Sequence, residues 1–269
     1  NSGIGGTGAS SICIGNTASA KGDRNISIGK NACLNSASTQ SICIGESAGS
    51  GVTTGTLQSN DFIAIGNQVA QAPDIKSKSI SIGSKESNLG FSSATSDNGI
   101  GYASIAIGSS ANGVANSTPK RGNLAVMIGP AAAYNGAKEG AVSIGTATGL
   151  INVLGSNTVS IGHESAQGTS SGTEDNSICI GYQAGKTGAG ASSILIGQAA
   201  QGLNDNCIVL NASGSTTTTG VDGAFYVDPI KVGAVSGGTA QIKTPTDSGF
   251  GHLLCYNSTT KEIRAVPFA

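Results

Sequence analysis

The sequence predicts an all-β fold, a parallel β-roll or solenoid of about a dozen coils followed by a small C-terminal β segment. The phrase Ile-x-Ile-Gly, usually led by Ser, recurs throughout residues 11–211. Successive copies end 14 to 25 residues apart, as expected for coils of about 14 residues with loops of variable length. From residue 213 the phrase stops and the composition changes, which divides the chain into a repeat domain, 1–212, and a C-terminal segment, 213–269.

Each copy of the phrase has the alternation of a β-strand. Ile12 and Ile14, for example, flank Cys13, and a period of two places the flanking pair on one face. We expect these pairs to stack from coil to coil as the core, because burying one such side chain contributes about 1.5 to 3 kcal/mol. The closing Gly suits a turn with positive φ or a close backbone approach, and an Ala three residues later marks the returning half-coil.

The position between the flanking residues is small in most copies. Only Met127, Leu195 and Val209 are large there. A strand face that stays small and uncharged is suited to close packing against another backbone, so we expect an oligomer packed along this face. The small residues are Cys13, Ser27, Cys43, Ala64, Ser81, Ala106, Ser143, Ser160 and Cys179.

The residues directly after each closing Gly are expected to form a ladder along one edge, with Lys30 beside Glu46. The cysteines are expected to be free, buried thiols that act as small apolar fillers. Cys13 and Cys43 lie two coils apart, about 9 to 10 Å, which exceeds the limit of about 7 Å between Cα atoms for a disulfide. Free thiols indicate folding in a reducing compartment.

The C-terminal segment contains a predicted hairpin of strands 253–256 and 262–266. We expect it to cap the end of the solenoid, which otherwise has unpaired strand edges.

The longer intervals predict insertions that project outward from the coils. They lie at 49–61, 88–104, 112–123, 134–140, 149–157 and 167–176. Loops on a rigid scaffold are common binding sites, and aromatic faces pack against apolar ring surfaces. The candidate ligand-binding residues are therefore aromatic or basic, although each is also explained as a solvated or loop-anchoring side chain: Phe91, Tyr102, Lys120, Arg121 and Tyr134.

Composition argues against several other classes of protein. A net charge of −1 predicts neither nucleic acid nor an anionic membrane as partner, and no apolar run reaches the roughly 20 residues of a membrane helix. His163 and His252 are in different segments, so no catalytic triad, metal site or cofactor is expected. The segment 181–188, GYQAGKTG, is one residue too short for a phosphate-binding loop. Without an initiating Met or a secretory signal, the chain is expected to be a fragment.

The repeats resemble those in the heads of trimeric autotransporter adhesins. The resemblance rests on SICIG and SIAIG, each followed by Ala three residues past the Gly, and covers about residues 11–211. It implies a left-handed parallel β-roll wound as an intertwined homotrimer. The insertions here are longer and less regular than in that family, and no coiled-coil stalk follows the repeats.

Two C-terminal sequences resemble segments that close repeat-bearing fibres in large DNA viruses of algae and in some phage tail fibres. They are AFYVDPI at 224–230 and LLCYNSTTKEI at 253–263. In the viral cases the implied role is attachment to a host cell wall at the start of infection. The resemblances together imply an adhesin on the virion surface, folded in the host cytoplasm, whose partner is cell-wall polysaccharide. A bacterial cell surface is the alternative location.

Two other functions are compatible with the repeats. The chain could be a fibre shaft or spacer without binding activity. It could also be a β-helical enzyme that degrades polysaccharide, which would need paired carboxylates. The acidic residues are scattered over several coils without a concentrated acidic cleft, so we expect no enzyme; the candidates are Glu46, Asp61, Glu164, Glu174 and Asp175.

Overall fold

The chain divides into two compact units, Asn1–Asp228 and Pro229–Ala269. The computed structural model describes residues 8–19, 21–34, 38–50, 60–69, 77–84, 102–109, 111, 122–151, 153–168, 173–219, 222–223 and 225–228, and the backbone of 252–257 and 262–267. Across these ranges every regular element is a β-strand and none is a helix. The prediction of an all-β fold is confirmed.

The first unit is a parallel β-solenoid, as the repeat predicted. One 13-stranded sheet contains β1 to β11, β13 and β15 in chain order, and β12 pairs with β14. Twelve strand spacings of about 4.8 Å make the stack about 58 Å long. The strands are β1 (Ile12–Ile14), β2 (Ile26–Ile28), β3 (Ile42–Ile44), β4 (Ile63–Ile65), β5 (Ile80–Ile82), β6 (Ile105–Ile107), β7 (Val126–Ile128), β8 (Val142–Ile144), β9 (Val159–Ile161), β10 (Ile178–Ile180), β11 (Ile194–Gly197), β12 (Ala200–Gln201), β13 (Ile208–Asn211), β14 (Thr217–Thr218) and β15 (Phe225–Asp228).

The two faces of this sheet have the opposite roles to those predicted. The middle residue of each strand points into the coil, where Cys43, Ser143 and Cys179 are completely buried. The flanking Ile and Val residues are only partly buried, on the outside. The prediction that the flanking pairs form the core of the coil is therefore wrong.

The narrow interior explains this arrangement. A Cβ added to Gly185 would lie 2.7 Å from the Sγ atom of Cys179, so one small side chain spans the space between the strand and the opposite turn. The larger Met127 lies between small residues, Ala106 on one side and Ser143 on the other. Near the end of the sheet, by contrast, Leu195 is paired with Val209. Up to β10 the interior therefore selects for small volume rather than for hydrophobicity alone.

The closing glycines form a second ladder. Gly129 has φ +127°, and a Cβ there would lie 2.5 Å from the carbonyl oxygen of Gly145. Gly145 stands in the same relation to Gly162. Both reasons for glycine, a positive φ and a close backbone approach, therefore apply at these positions.

The serines that lead the strands connect neighbouring coils. Ser193 Oγ donates to the carbonyl oxygen of Asn204 at 3.0 Å and accepts from the N–H of Cys207 at 3.1 Å. Ser177 Oγ donates to the carbonyl oxygen of Gly190 at 2.7 Å. Since a buried hydroxyl without a partner is destabilising, these bonds stabilise the buried serines that lead the strands.

The alanines that mark the returning half-coil are buried. Those with no exposed surface are Ala18, Ala32, Ala48, Ala132, Ala184 and Ala200. From β7 onward the returning chain also forms a line of parallel bridges, Ala137 to Leu154, Leu154 to Thr173 and Thr173 to Ala189. Ala137, Leu154 and Thr173 belong to three of the predicted outward insertions, 134–140, 149–157 and 167–176. All three residues are buried, so at these positions the chain forms part of the solenoid wall instead of an outward loop.

One disulfide corrects the prediction that the cysteines are free. Cys43 is bonded to Cys33, with their Cα atoms 5.9 Å apart. Cys33 lies four residues past Gly29, in the turn of the preceding coil, and that turn passes beneath the middle residue of the next strand. Because Cys33 is in a turn and Cys43 is in a strand, comparing only the cysteines at strand positions does not reveal this pair. Cys13 and Cys179 are free, as predicted, although Cys13 is only partly buried.

The parallel sheet continues to β15, beyond residue 212, where the repeat domain was predicted to end. In the second unit, β16 (His252–Asn257) and β17 (Glu262–Pro267) form an antiparallel pair in which Leu254 is opposite Ala265. The predicted hairpin is confirmed. Its role as a cap stays a prediction.

Candidate functional site

The outside of the 13-stranded sheet is an apolar strip. We call it the outer face and define it by the first and third residues of β1 to β11, β13 and β15. These residues are Ile or Val up to β11, with Ile208 and Leu210 on β13 and Phe225 and Val227 on β15. Ile14 is 55% exposed and Phe225 is 54% exposed. A continuous apolar strip along the whole stack is typical of an interaction surface.

The outer face is not the surface that the sequence predicted for contact between chains. Ala106 and Ser143 were expected to pack against a neighbouring chain, but both are buried within their own coil. The prediction that the small residues form the oligomer contact is wrong. On β1 to β11 the sheet residues most accessible to another molecule are the branched aliphatic ones, and on β15 Phe225 is also exposed.

Tyr102, a predicted ligand-binding residue, is on the surface. Its side chain is 40% exposed, and the Nζ atom of Lys78 lies 5.5 Å from the centre of its ring. The backbone N–H of Tyr102 donates to Asn123 Oδ1 at 2.9 Å, which fixes the corner before β6. A hydrogen bond with Tyr102 raises the pKa of Lys78, so the ammonium group stays charged beside the ring.

Tyr134 is not on an outward loop. Its side chain is 5% exposed, and burial raises the pKa of its phenol. It directly follows the buried alanines Ala132 and Ala133 of the returning half-coil after Gly129. The three other predicted binding residues, Phe91, Lys120 and Arg121, lie outside the described residues.

The predicted ladder along one edge is present. We call it the post-glycine edge and define it by the residues that directly follow the closing glycines. Lys30 Nζ lies 3.2 Å from Glu46 Oε1 on the next coil, as predicted. The described members of this edge are Asn16, Lys30, Glu46, Asn67, Ser84, Ser109, Pro130, Thr146, His163, Tyr182 and Gln198.

Two aromatic rings occupy consecutive positions of this edge. His163 and Tyr182 stack with their ring centres 5.6 Å apart and an angle of 19° between their planes. Tyr182 is 46% exposed. Both residues belong to the predicted ladder, but the predicted binding residues were sought in the insertions. The signal was available in IGHE at 161–164 and IGYQ at 180–183, which place the two rings in register.

Polar groups lie beside these rings. Glu164 Oε2 accepts a hydrogen bond from Gln183 Nε2 and another from Lys186 Nζ, each at 2.7 Å. The hydrogen bonds from Lys186 and Gln183 lower the pKa of the Glu164 carboxyl. The carboxylate, carboxamide and ammonium groups are therefore held together on two neighbouring coils.

Asp175, another candidate carboxylate, connects neighbouring coils. Asp175 Oδ1 accepts from the Ser156 N–H at 2.8 Å and from Lys138 Nζ at 3.0 Å, and these bonds lower the pKa of Asp175. A general acid in a glycoside hydrolase needs a raised pKa. Among the described residues, no three His, Cys, Asp or Glu side chains are grouped to bind a metal ion.

Comparison with protein-family models, with curated proteins and with solved structures gave no match. Within the described part of the chain, no helix is long and apolar enough to cross a membrane. The functional proposal therefore depends on the surfaces of the solenoid and on the sequence resemblance.

Proposed function

We propose that this chain is part of a homotrimeric, non-enzymatic adhesin on a virion surface, which binds host cell-wall polysaccharide at the start of infection. The outer face is the observation that carries the proposal. It supplies a contact between copies of the chain, and it leaves the edges of each coil available to a ligand. The bacterial cell surface is the alternative location.

The outer face suits contact with a second copy of the same chain. Its composition repeats with each coil, and the register of β8, β9 and β10 is identical from strand to strand. If copies of the chain are related by rotation about an axis parallel to the stack, the Ile or Val pair of each strand faces the pair of the same strand on the neighbouring copy. The resemblance to autotransporter heads sets the number of copies at three and the winding as left-handed.

Burial in such an assembly would stabilise the aliphatic side chains. Fully burying an exposed Ile or Val contributes about 1.5 to 3 kcal/mol. The flanking residues of β2 to β10 are only partly buried in one chain, so burying the rest of their surface on assembly would contribute part of this free energy. The strip is one pair of side chains wide, so a single chain cannot cover it. In the trimer these stacked pairs would form an apolar core between the chains.

Threefold assembly also suits adhesion to a polymer. A polysaccharide wall presents the same chemical group many times, and three binding sites on one rigid rod raise avidity without strong individual contacts. Exposed polar and aromatic side chains at the coil corners, such as Tyr102 beside Lys78, are suited to sugar hydroxyls and ring faces.

The test uses isolated algal and bacterial cell walls. The full chain is incubated with each wall, and both the retained protein and the released reducing sugar are measured. Retention on algal walls without sugar release is the expected result. Sugar release would instead support the enzyme, whereas absence of retention on either wall would support the fibre shaft.

A further inference from the structure

The stacked rings of His163 and Tyr182 are the most distinctive feature of the described surface. Elsewhere on the post-glycine edge the side chains are aliphatic, hydroxyl, carboxamide or charged, as at Ser84, Thr146 and Gln198. The whole chain contains only two histidines and five tyrosines. Structure alone does not require aromatic residues at this edge, because the other coils close in the same way without them.

The geometry of the pair is suited to a ligand with flat apolar faces. The rings are near parallel and 5.6 Å apart, so each restricts the movement of the other before a ligand arrives. Such preorganisation lowers the entropic cost of binding. Tyr182 retains nearly half of its surface for contact, and aromatic rings with a polar end favour positions at binding surfaces.

The polar groups beside the rings match hydroxyl groups. Glu164 provides an acceptor, while Lys186 and Gln183 provide donors, and the two hydrogen bonds to Glu164 Oε2 fix their arrangement. Their side chains remain accessible, since Lys186 is 32% exposed and Glu164 is 25% exposed. A hydroxyl group both donates and accepts hydrogen bonds, so it can bind to the Glu164 acceptor and to the Lys186 and Gln183 donors. A phosphate or sulfate group would be repelled by the Glu164 carboxylate.

We propose that His163 and Tyr182, with Glu164, Gln183 and Lys186, form a binding site for neutral sugars of a polysaccharide. The rings contact the apolar face of a sugar, and the polar cluster binds its hydroxyls. This inference rests on the proposed function, because it names the place where the adhesin binds the wall. It assigns recognition to the coil itself instead of to the longer insertions.

The first experiment measures the affinity of full-chain variants for isolated algal cell walls by depletion from solution. We expect Tyr182→Ala and His163→Ala each to bind about tenfold more weakly, which corresponds to about 1.4 kcal/mol. Tyr182→Phe keeps the ring and should bind as the wild type does. Thr146→Ala, one coil before His163 on the same edge, is the matched control and should also bind normally.

The second experiment uses cellohexaose and mannohexaose as soluble probes. The chain has no Trp, so its tyrosines dominate the intrinsic fluorescence. We expect at least one probe to change this emission in the wild type and in Thr146→Ala but not in Tyr182→Ala. The same probe should compete with walls for the wild-type chain.

The outcomes separate this site from the wider proposal. If the wild type binds walls while Tyr182→Ala and His163→Ala bind within twofold of it, the site is refuted and the adhesin stands. If the wild type binds neither wall, the adhesin is refuted. In that case a fluorescence change that depends on Tyr182 would still support the sugar site, whereas its absence would refute the site too. Thermal melting of each variant verifies that the exposed substitutions leave the coil folded.

Discussion

The interior and the outer face of the solenoid are formed by alternate residues of the same strands, yet they follow different size rules. On β8 the middle residue Ser143 is completely buried, whereas Val142 and Ile144 are partly exposed. The interior is closed by backbone on its opposite side, so a larger side chain does not fit there. The outer face of the single chain is open, so a larger side chain can be accommodated. Substitutions on neighbouring residues of one strand should therefore have different consequences.

The largest effect is expected from a charge in the interior. Ser143→Arg places a large cation where the native hydroxyl lies 2.7 Å from Thr148 Oγ1. An unpaired buried charge costs several kcal/mol, which is comparable to the stability of a whole domain. We expect loss of the folded chain, measured by circular dichroism and thermal melting. Thr146→Arg, on the exposed edge of the same coil, is the control. A folded Ser143→Arg chain with wild-type melting would contradict this assignment of faces.

A charge on the outer face should separate the copies without unfolding the coil. The double variant Ile144→Lys and Ile161→Lys places ammonium groups on adjacent rows of β8 and β9. We expect monomers by analytical ultracentrifugation, with parallel β structure retained in circular dichroism. Ile144→Val with Ile161→Val keeps the strip apolar and should remain oligomeric. If the lysine variant sediments as the wild type does, the outer face is not the contact between copies.

An engineered disulfide tests the register between the strand and the turn in the interior. Ala166 lies four residues past Gly162, as Cys33 does past Gly29, and the next strand carries Cys179 where Cys43 lies in the earlier coil. Ala166→Cys should therefore bond with Cys179 and raise stability by about 2 to 3 kcal/mol for a short closed loop. Mass spectrometry and melting with and without reductant would measure this.

The control for the disulfide is Gln167→Cys, one residue further along the turn. It should stay reduced. Burial raises the pKa of the Cys179 thiol to about 12, so without the new partner this thiol should resist alkylation at neutral pH. Rapid alkylation of Cys179 in the folded wild type would show that the interior is more open than described.

The smallest effect is expected at the edge, where Lys186 pairs with Glu164. The pKa of Glu164 is lowered from 4.5 in the folded chain, so its contribution to stability is present above pH 4.5 and is lost as pH falls through the folded pKa. A surface pair of this kind contributes at most about 1 kcal/mol. Lys186→Met should lower the melting temperature slightly at pH 7, and this difference should disappear as the pH falls through the folded pKa of Glu164. Equal melting of both chains across this range would show that the pair adds no stability.

The sequence was sufficient for the strands and for which residues share a face. Ile178, Cys179 and Ile180 alternate clearly, and the repeat predicted parallel stacking of such triplets. The pattern did not show which face is inside, because the usual rule that large apolar residues are buried assumes a core wide enough to hold them. A coil of about 14 residues lacks that width. The size of the middle residues was the relevant signal, and it was interpreted as a contact with another chain.

The candidate site was less predictable for a similar reason. Lys30 and Glu46 were correctly placed side by side because they follow the same glycine position. Stacking of His163 on Tyr182 follows from the same register, but single residues in an edge ladder were given less weight than insertions. Tyr134 and the pair of Cys33 with Cys43 depend on how the returning turn crosses the next strand, and the alternation of residues within the strands does not show this.

The ladder of closing glycines gives the solenoid a constant length per coil. Because Gly129, Gly145 and Gly162 approach one another in the same way, each coil adds one strand spacing of about 4.8 Å and nothing more. The distance between two surface sites on the stack is therefore set by the number of coils between them. Inserting or deleting a coil would move a binding site along the rod in fixed steps, so such a chain can change its reach without changing its chemistry.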